Sequence, residues 1–228
     1  MPNRKILQAA RDRRRSLAIQ AGRIHRRYSA RVPELIQKLG EGFSQAAHDK
    51  AYDLLSQMSV MIVPDLLSAL QDPSIDSFIK DEVASLLGVT GDERAREPLW
   101  EYFLQMIDEP ESASTAALSL SNLGDERVLP FVRTELESDI DETVSNAVAA
   151  LIVLGELEDV NRLRAIHRRY LQDEETRYGI ANAILAILGE VDQPALERTL
   201  EQIRTSFADR ALWEDIWTLM ENTFGPGI

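Results

Sequence analysis

Residues 116–130 read Ala-Ala-Leu-Ser-Leu-Ser-Asn-Leu-Gly-Asp-Glu-Arg-Val-Leu-Pro, and this stretch decides the fold. Its small and leucine positions, such as Ala116 and Leu120, recur at spacings of four and three, which puts them on one face of a helix. Gly124 follows, and glycine readily adopts the left-handed conformation that ends a helix. Pro130 fits the first turn of a second helix, where its missing N–H has no intrahelical partner. The stretch predicts two helices joined by a short polar turn.

The same pattern returns along most of the chain with a nearly constant period. The positions that close the first helix of each copy are Ser59, Gly91, Gly124, Gly155, Gly189 and Gly225, and they lie 32, 33, 31, 34 and 36 residues apart. A proline follows four of them, at Pro64, Pro98, Pro130 and Pro194. A period in the low thirties is typical of helical repeat arrays. No segment alternates with period two for long enough to predict a strand. We therefore expect an all-α solenoid of about six helix pairs.

The turns at residues 91–95 and 124–130 resemble those of HEAT-like repeats of the phycobilisome-lyase type, in which a Gly-Asp-x-x-Ala-Val-Pro turn follows a helix rich in Ala and Leu. The resemblance covers residues 45–205 and weakens at Gly155 and Gly189, where Asp does not follow the glycine. It implies a right-handed α-α superhelix whose glycine-terminated helices line a concave surface. The family includes chromophore-lyase subunits, phycobilisome-degradation factors and scaffolding proteins, so the resemblance implies a fold without deciding a function.

Helical geometry also predicts which residues of these first helices point away from the core. They are the positions thirteen, ten, six and three before each closing residue. A smooth surface of small residues there would suit a helix or an extended peptide, whereas crowding between tightly curved helices would equally favour small residues. The candidate protein-binding residues, called here the predicted strip, are Asp49, Asp53, Asp81, Ser85, Ser114, Leu118, Ser121, Glu142, Ser145 and Ile152.

Charge divides the chain into two parts. The whole sequence has 25 Lys and Arg against 38 Asp and Glu, for a net charge of −13. Residues 1–31 carry a net charge of +9, and residues 32–228 carry −22. We therefore expect a basic N-terminal arm or cap at residues 1–31, followed by a HEAT-like repeat solenoid at residues 32–228. The candidate binding residues of the basic arm are Arg4, Lys5, Arg11, Arg13, Arg14 and Arg15.

The arm also carries apolar residues at helical spacing, among them Leu17, Ile24 and Tyr28. Three interpretations remain open: a helix that caps the first repeat, a basic arm for an acidic protein, nucleic acid or anionic lipid, and an organelle transit peptide. Leaving large apolar side chains in water forgoes roughly 1.5–3 kcal/mol each. We therefore expect residues 16–31 to pack as the first helix, leaving residues 1–15 available to an acidic partner.

Composition and motifs exclude several kinds of site. The chain has no cysteine, so it has no disulfide, thiolate nucleophile or cysteine-ligated metal site. Its three histidines, His25, His48 and His167, lack the i,i+3 or i,i+4 spacing of a helical metal site. Asp49, Asp53 and Asp81 align on one face, where we expect a solvated acidic patch rather than a metal site or an acid pair. We expect no cofactor and no catalytic residue.

These observations favour a non-enzymatic scaffold that binds another protein on the concave face of a helical array. The resemblance implies one alternative, a subunit of a bilin-chromophore lyase or a phycobiliprotein-associated factor. Another alternative is nucleic-acid binding through the basic arm and a second basic stretch at Ile166–Tyr170. The acidic body repels phosphate and makes nucleic acid a poor partner. No apolar run approaches the roughly 18 residues of a membrane span, so we expect a soluble, cytoplasmic protein.

Overall fold

The structure is a computed structural model that describes residues 21–40 and 42–224, and the regular secondary structure of this part of the chain is entirely helical. The α-helices are α1 (21–28), α2 (Val32–Gln37), α3 (Gln45–Met58), α4 (Val63–Gln71), α5 (Ser77–Thr90), α6 (Arg96–Gln105), α7 (Pro110–Asn122), α8 (Leu129–Glu135), α9 (Asp141–Leu154), α10 (Asp159–His167), α11 (Glu174–Leu188), α12 (Gln193–Thr205) and α13 (Arg210–Phe224). Short 3₁₀ helices lie at Ser29–Arg31, Ser59–Ile62, Glu93–Ala95, Glu126–Val128 and Phe207–Asp209.

The described residues form two compact units, 21–128 and 129–224. In the first unit, α5 packs against both α3 and α7, while α4 lies against α5 and α6 lies against α7. In the second unit, α11 packs against both α9 and α13, while α8, α10 and α12 each lie against the helix that follows them. Within each unit the first helices of successive repeats are therefore neighbours, and in the first unit the second helices α4 and α6 also contact each other. The predicted all-α stack of helix pairs is confirmed.

The core consists of the apolar positions that define the repeat. Leu87, Leu120 and Leu151 have no exposed surface, and the small residue Ala181 is equally buried. Leu185 is the exception, because it remains half-buried on α11. Each fully buried leucine contributes roughly 1.5–3 kcal/mol relative to an exposed one, so these positions supply much of the driving force for stacking.

The closing residues end their helices in two different ways. Gly91 and Gly124 have φ values of 61° and 73°, in the left-handed region that the sequence predicts for the closing glycines. Ser59 also has a positive φ, of 50°, but its ψ of −134° lies outside the left-handed helical conformation. The prediction is wrong for Gly155 and Gly189, whose φ values are −61° and −67°. At Gly155 the requirement is space: a Cβ there would clash with the backbone carbonyl oxygen of Leu151 on α9 and would lie 2.6 Å from Cδ1 of Ile187 on α11.

The aspartate of the Gly-Asp turn begins the next helical segment. Asp92 Oδ1 accepts a hydrogen bond from the backbone N–H of Arg94 at 3.0 Å, and Asp125 Oδ1 accepts one from that of Arg127 at 3.1 Å. Each aspartate thus satisfies a donor that would have no partner at a helix start. The prolines predicted to follow these turns lie within the first three positions of α4, α6, α8 and α12, as expected.

One stretch, Gln45–Gln71, is long and apolar enough to cross a membrane by length and composition. In the structure its α-helical path is broken after Met58, where Ser59 adopts a positive φ and a 3₁₀ helix leads into α4. Leu55 of α3 and Leu66 of α4 are fully buried within the protein. A core helix of a soluble protein passes the same test, so the finding is weak support for a membrane span.

Part of the predicted arm lies in the described region. Ala21 is 1% exposed, and Ile24 and Tyr28 are half-buried on α1, so the apolar residues of this part of the arm are packed. The six candidate binding residues from Arg4 to Arg15 lie outside the described residues, as does Gly225. The proposed use of residues 1–15 by an acidic partner therefore stays a prediction.

Candidate functional site

A groove of about 440 Å³ lies between α9 and α11 in the second unit. Both helices are first helices of their repeats, and they pack against each other along their length. The groove residues on α9 include Glu142, Ser145 and Ile152 of the predicted strip. The structure therefore brings these three residues together on one open surface, where they face residues of α11.

Four carboxylates form the rim of the groove. Asp141 and Glu142 lie in the first turn of α9, while Asp173 and Glu175 lie at the start of α11. Negative side chains are stabilising at helix N-termini because the helix dipole places partial positive charge there. No residue that lines the groove is basic. The rim is therefore acidic, and its carboxylates come from the N-termini of two neighbouring helices.

Two rim carboxylates also have structural hydrogen bonds. Asp173 accepts hydrogen bonds from the backbone N–H groups of Thr176 at 3.3 Å and Glu175 at 3.1 Å. The side chain of Thr176, together with these backbone donors, lowers the pKa of the Asp173 carboxyl. Asp141 Oδ1 accepts from the Tyr170 hydroxyl at 2.9 Å, which orients its carboxylate. Glu142 and Glu175 are exposed. The groove therefore contains two structurally held carboxylates and two exposed ones.

The floor of the groove is lined by apolar and small residues. Val148 is buried, whereas Ala149 and Ile152 are half-buried on the same helix. Gly179 of α11 faces them, and a Cβ at this position would meet only Val148, at an ordinary distance of 3.9 Å. A small or missing side chain on the floor lets the backbone of a ligand approach closely. The groove can therefore accept apolar side chains on its floor and positive charge at its rim.

Two residues of the predicted strip are not on the surface. Ser114 is 3% exposed and Ser121 has no exposed surface, so the prediction that they face a ligand is wrong. Their hydroxyls donate to the backbone carbonyls of Glu111 and Leu118 on the same helix, at 2.9 and 2.6 Å. A serine side chain is short, and once its hydroxyl turns back to its own helix the surrounding structure covers it.

In the first unit, Asp49 and Asp53 are exposed and share a shallow pocket of about 340 Å³ with His48, Tyr52 and Glu82. The Tyr52 hydroxyl lies 3.0 Å from Oγ of Ser85, another residue of the predicted strip, and thereby joins α3 to α5. Among the described residues, no group of three or more His, Asp or Glu side chains is arranged to hold a metal ion.

Asp81 does not belong to a solvated acidic patch, contrary to the expectation from its alignment with Asp49 and Asp53. It is half-buried on α5 and accepts hydrogen bonds from the Tyr102 hydroxyl at 2.8 Å and the Ser112 hydroxyl at 2.7 Å. Burial raises the pKa of the Asp81 carboxyl, and the two hydroxyl donors only partly oppose this effect. Asp81 links α5, α6 and α7 within the core. Leu118, the remaining strip residue, is half-buried on α7.

The second basic stretch, Ile166–Tyr170, is engaged within the protein. His167 is 1% exposed, and its Nε2 lies 2.7 Å from Oδ2 of Asp215 on α13. Arg168 pairs with the buried Asp209 at 2.7 Å, and Arg169 donates to the backbone carbonyl of Ser138 at 3.0 Å. These pairings leave no signal in the sequence, because more than 40 residues separate the stretch from both carboxylates.

Asp209 holds two arginines at once. Arg164 on α10 donates to Oδ2 of Asp209 while Arg168 donates to Oδ1. Burial alone would raise the pKa of Asp209, but the hydrogen bonds from Arg164 and Arg168 outweigh it and lower this pKa. The short 3₁₀ helix at Phe207–Asp209 is thereby fixed against α10.

Comparisons of the chain with protein-family models and with curated proteins found no match. The HEAT-like resemblance therefore stays a prediction, which rests on the period and on the residues of the turns.

Proposed function

We propose that the chain is a non-enzymatic, HEAT-like interaction scaffold that binds a segment of another protein in the groove between α9 and α11. The observation that carries this proposal is the combination of an apolar floor with carboxylates on both sides. Ala149 and Ile152 offer apolar surface above the buried Val148, while the rim offers acceptors and negative charge. Protein interfaces commonly have this arrangement of an apolar centre and a polar rim.

The size and shape of the groove favour a peptide segment as the ligand. A groove of about 440 Å³ accommodates a few side chains rather than a folded domain. Its floor is open beside Gly179, so the main chain of a helix or an extended segment can approach closely. A helix laid against such a groove would place residues at spacings of three and four on the floor.

The non-enzymatic part of the proposal is supported by the positions of the groups that could do acid–base chemistry. In the groove, Asp173 caps α11 and Asp141 is held by Tyr170, so both already have structural hydrogen bonds. His167, a buried histidine that faces a carboxylate, is only 1% exposed and pairs with Asp215. These groups act as structural elements in the proposal.

The two alternative functions differ in their support. A role with bilin chromophores or phycobiliproteins rests on the repeat resemblance and remains a prediction. For nucleic-acid binding, the arginines of the second basic stretch are engaged by Asp209 and by backbone carbonyls, which weakens the case for that stretch as a phosphate site.

The test fills the groove without disturbing the core. Ser145 is exposed on α9, so Ser145→Trp should place an indole in the groove while the fold is retained. The tagged full chain is purified from its source cells, and the co-purifying proteins are identified and quantified. We expect at least one protein that the unmodified chain retains to be reduced about tenfold or more by Ser145→Trp, the effect of about 1.4 kcal/mol.

The matched control is Glu101→Trp, which adds the same side chain at an exposed position of α6. It should leave the co-purifying proteins unchanged. If Ser145→Trp and Glu101→Trp retain the same proteins in the same amounts, the groove is not the binding surface and the proposal fails.

A further inference from the structure

We propose that the chain forms a homodimer in which α13 packs antiparallel against α13 of a second copy. The contact surface, called here the tryptophan stripe, consists of Trp213, Trp217 and Met220. These residues follow one another at spacings of four and three, so they lie on one face of α13. The inference does not depend on the proposed function, because the tryptophan stripe is not part of the groove between α9 and α11.

The tryptophan stripe is a second apolar face of α13. Leu212 and Ile216 have no exposed surface and belong to the face that packs within the second unit, where α13 contacts α11 and α12. Trp217 in contrast is 37% exposed, with Trp213 and Met220 half-buried on the same face. The centroids of the two indole ring systems lie 6.0 Å apart. A second helix laid on this face would remove large apolar side chains from water.

Two opposite charges lie on one flank of the tryptophan stripe, at its two ends. Arg210 precedes Trp217 by seven residues and Glu221 follows it by four, so all three point in similar directions from the helix axis. Arg210 and Glu221 are eleven residues apart, which is about three helical turns. The tryptophan stripe therefore has a cation beside its N-terminal end and an anion beside its C-terminal end.

This arrangement is complementary to itself when two copies of α13 run antiparallel. If Trp213 of one copy lies beside Trp217 of the other, Arg210 comes level with Glu221 of the other copy to within about 1.5 Å along the axis, the rise of one residue. Two-fold symmetry then makes this ion pair twice. A parallel arrangement would instead place like charges opposite each other, so the charges favour the antiparallel pair.

The existing ion pair of Arg210 does not oppose this arrangement. Arg210 Nε lies 3.2 Å from Oε1 of Glu214, four residues further along the helix, and both side chains are largely exposed. An exposed ion pair between neighbouring turns contributes little to stability. Arg210 can therefore turn toward Glu221 of a second copy at little cost.

One pair of helices forms a small interface, and this decides the expected strength. Interfaces below about 1,200 Å² are typical of transient complexes. The net charge of −13 on each copy also opposes association. The tryptophan stripe must therefore supply most of the affinity, while the ion pairs fix the orientation. We expect a reversible dimer with a dissociation constant of about 10–100 μM.

The first experiment is sedimentation equilibrium of the full chain from about 1 to about 300 μM, in about 0.15 M salt to screen the long-range repulsion. We expect the average mass to rise from that of one chain toward that of two. Trp217→Ser should weaken the dimer about tenfold or more, since tryptophan is typical of the residues that dominate interfaces. Leu104→Ser removes an exposed apolar side chain from α6 and should leave the dimer unchanged.

The second experiment keeps every apolar residue and tests the orientation. Arg210→Glu and Glu221→Arg are made in separate chains, and each chain alone should dimerise about tenfold more weakly, because two attractions become repulsions. Mixed in equal amounts, the two chains should associate with each other as tightly as the unmodified chain, because opposite charges again meet at both ends of the tryptophan stripe. Lys50→Glu and Glu101→Arg, at exposed positions of the first unit, make the same charge changes and should weaken nothing, alone or mixed.

Three results would overturn the inference. The first is a chain that stays monomeric up to about 300 μM, which would leave the tryptophan stripe to another occupant. The second is a dimer that Trp217→Ser and Leu104→Ser affect equally. The third is a dimer that Arg210→Glu and Glu221→Arg weaken but that mixing the two chains does not restore, because the antiparallel pairing requires that restoration.

Discussion

Gly88 of α5 lies against Ser119 of α7 so closely that a Cβ on Gly88 would be 2.7 Å from the Ser119 Cα. Real side chains do not approach a backbone atom at that distance. The two first helices of neighbouring repeats therefore touch through glycine in the first unit. In the second unit, the groove between α9 and α11 is open beside Gly179.

The first prediction compares these two glycines. Gly88→Ala should destabilise the protein, because the added methyl meets backbone atoms, and overpacking of this kind costs roughly 1–3 kcal/mol. Gly179→Ala should be neutral or stabilise by about 0.5–1 kcal/mol, because alanine is the better helix former and the site has space. Chemical denaturation of both variants measures the difference. Equal stabilisation by both would show that α5 and α7 are not in this close contact.

The second prediction concerns the repeat leucines. Leu120→Ala and Leu151→Ala should each lower the free energy of unfolding by about 2–5 kcal/mol, the usual cost of emptying a buried leucine site. Leu185→Ala should cost less, because this leucine is only half-buried. Ser145→Ala, on the open groove, should cost little. A large loss for Ser145→Ala in the same denaturation series would mean that the described face of α9 is incorrect.

The third prediction concerns the double arginine site. Asp209→Ala should destabilise by about 1.5–3 kcal/mol, since it removes the buried carboxylate that pairs with Arg164 and Arg168, while both arginines keep some access to water. The pKa of Asp209 is lowered in the folded state, so its contribution is present above the ordinary aspartate pKa and is lost as the pH falls through the lowered value. The difference in the free energy of unfolding between the variant and the unmodified chain, measured by urea denaturation, should therefore become smaller in acid. A difference in the free energy of unfolding that does not change in acid would contradict the pairing of Asp209 with Arg164 and Arg168.

The fourth prediction concerns Asp81, whose pKa is raised in the folded state, whereas that of Asp209 is lowered. Burial raises the pKa of Asp81, so the folded state holds this proton to higher pH than the unfolded state, and stability falls as the pH rises through that interval. Asp81→Asn removes this decline while keeping an acceptor for Tyr102. The stability of the variant relative to the unmodified chain should improve from pH 3 to pH 7. Asp53→Asn, on exposed surface, controls for the loss of one charge. A relative stability of Asp81→Asn that does not change with pH would contradict the prediction.

The sequence predicts local features of this fold well. The spacing of four and three identifies the buried faces at Leu120 and Leu151, because helical geometry alone decides which positions share a face. The positive φ at Gly91 and Gly124 can also be predicted from nearby residues, because a glycine that follows a helical pattern commonly ends the helix in this conformation. Gly155 looks identical in sequence, yet its φ is negative, and a Cβ there would meet both the Leu151 carbonyl oxygen of its own helix and Ile187 of a different helix. The second of these contacts depends on packing that no local pattern reports.

The candidate site is only partly predictable for the same reason. Glu142, Ser145 and Ile152 follow from the repeat pattern, and they do line a groove. Ser114 and Ser121 follow from the same pattern, but whether a short side chain is covered depends on its surroundings rather than on its own spacing. The pairing of Arg168 with Asp209 joins positions 41 residues apart, and no periodicity within one helix reports it.

The most direct measurement of the central claim uses a photoreactive amino acid at position 145 of the full chain, with position 101 on α6 as the matched exposed site. Both variants are expressed in the source cells, illuminated and examined for covalent adducts with other proteins. The account predicts a discrete adduct from position 145 that position 101 does not give. It also predicts loss of this adduct when Glu142→Lys and Glu175→Lys reverse the two exposed charges of the rim. Equal adducts from both positions, or an adduct that survives the charge reversal, would contradict the claim that the groove between α9 and α11 binds a protein segment.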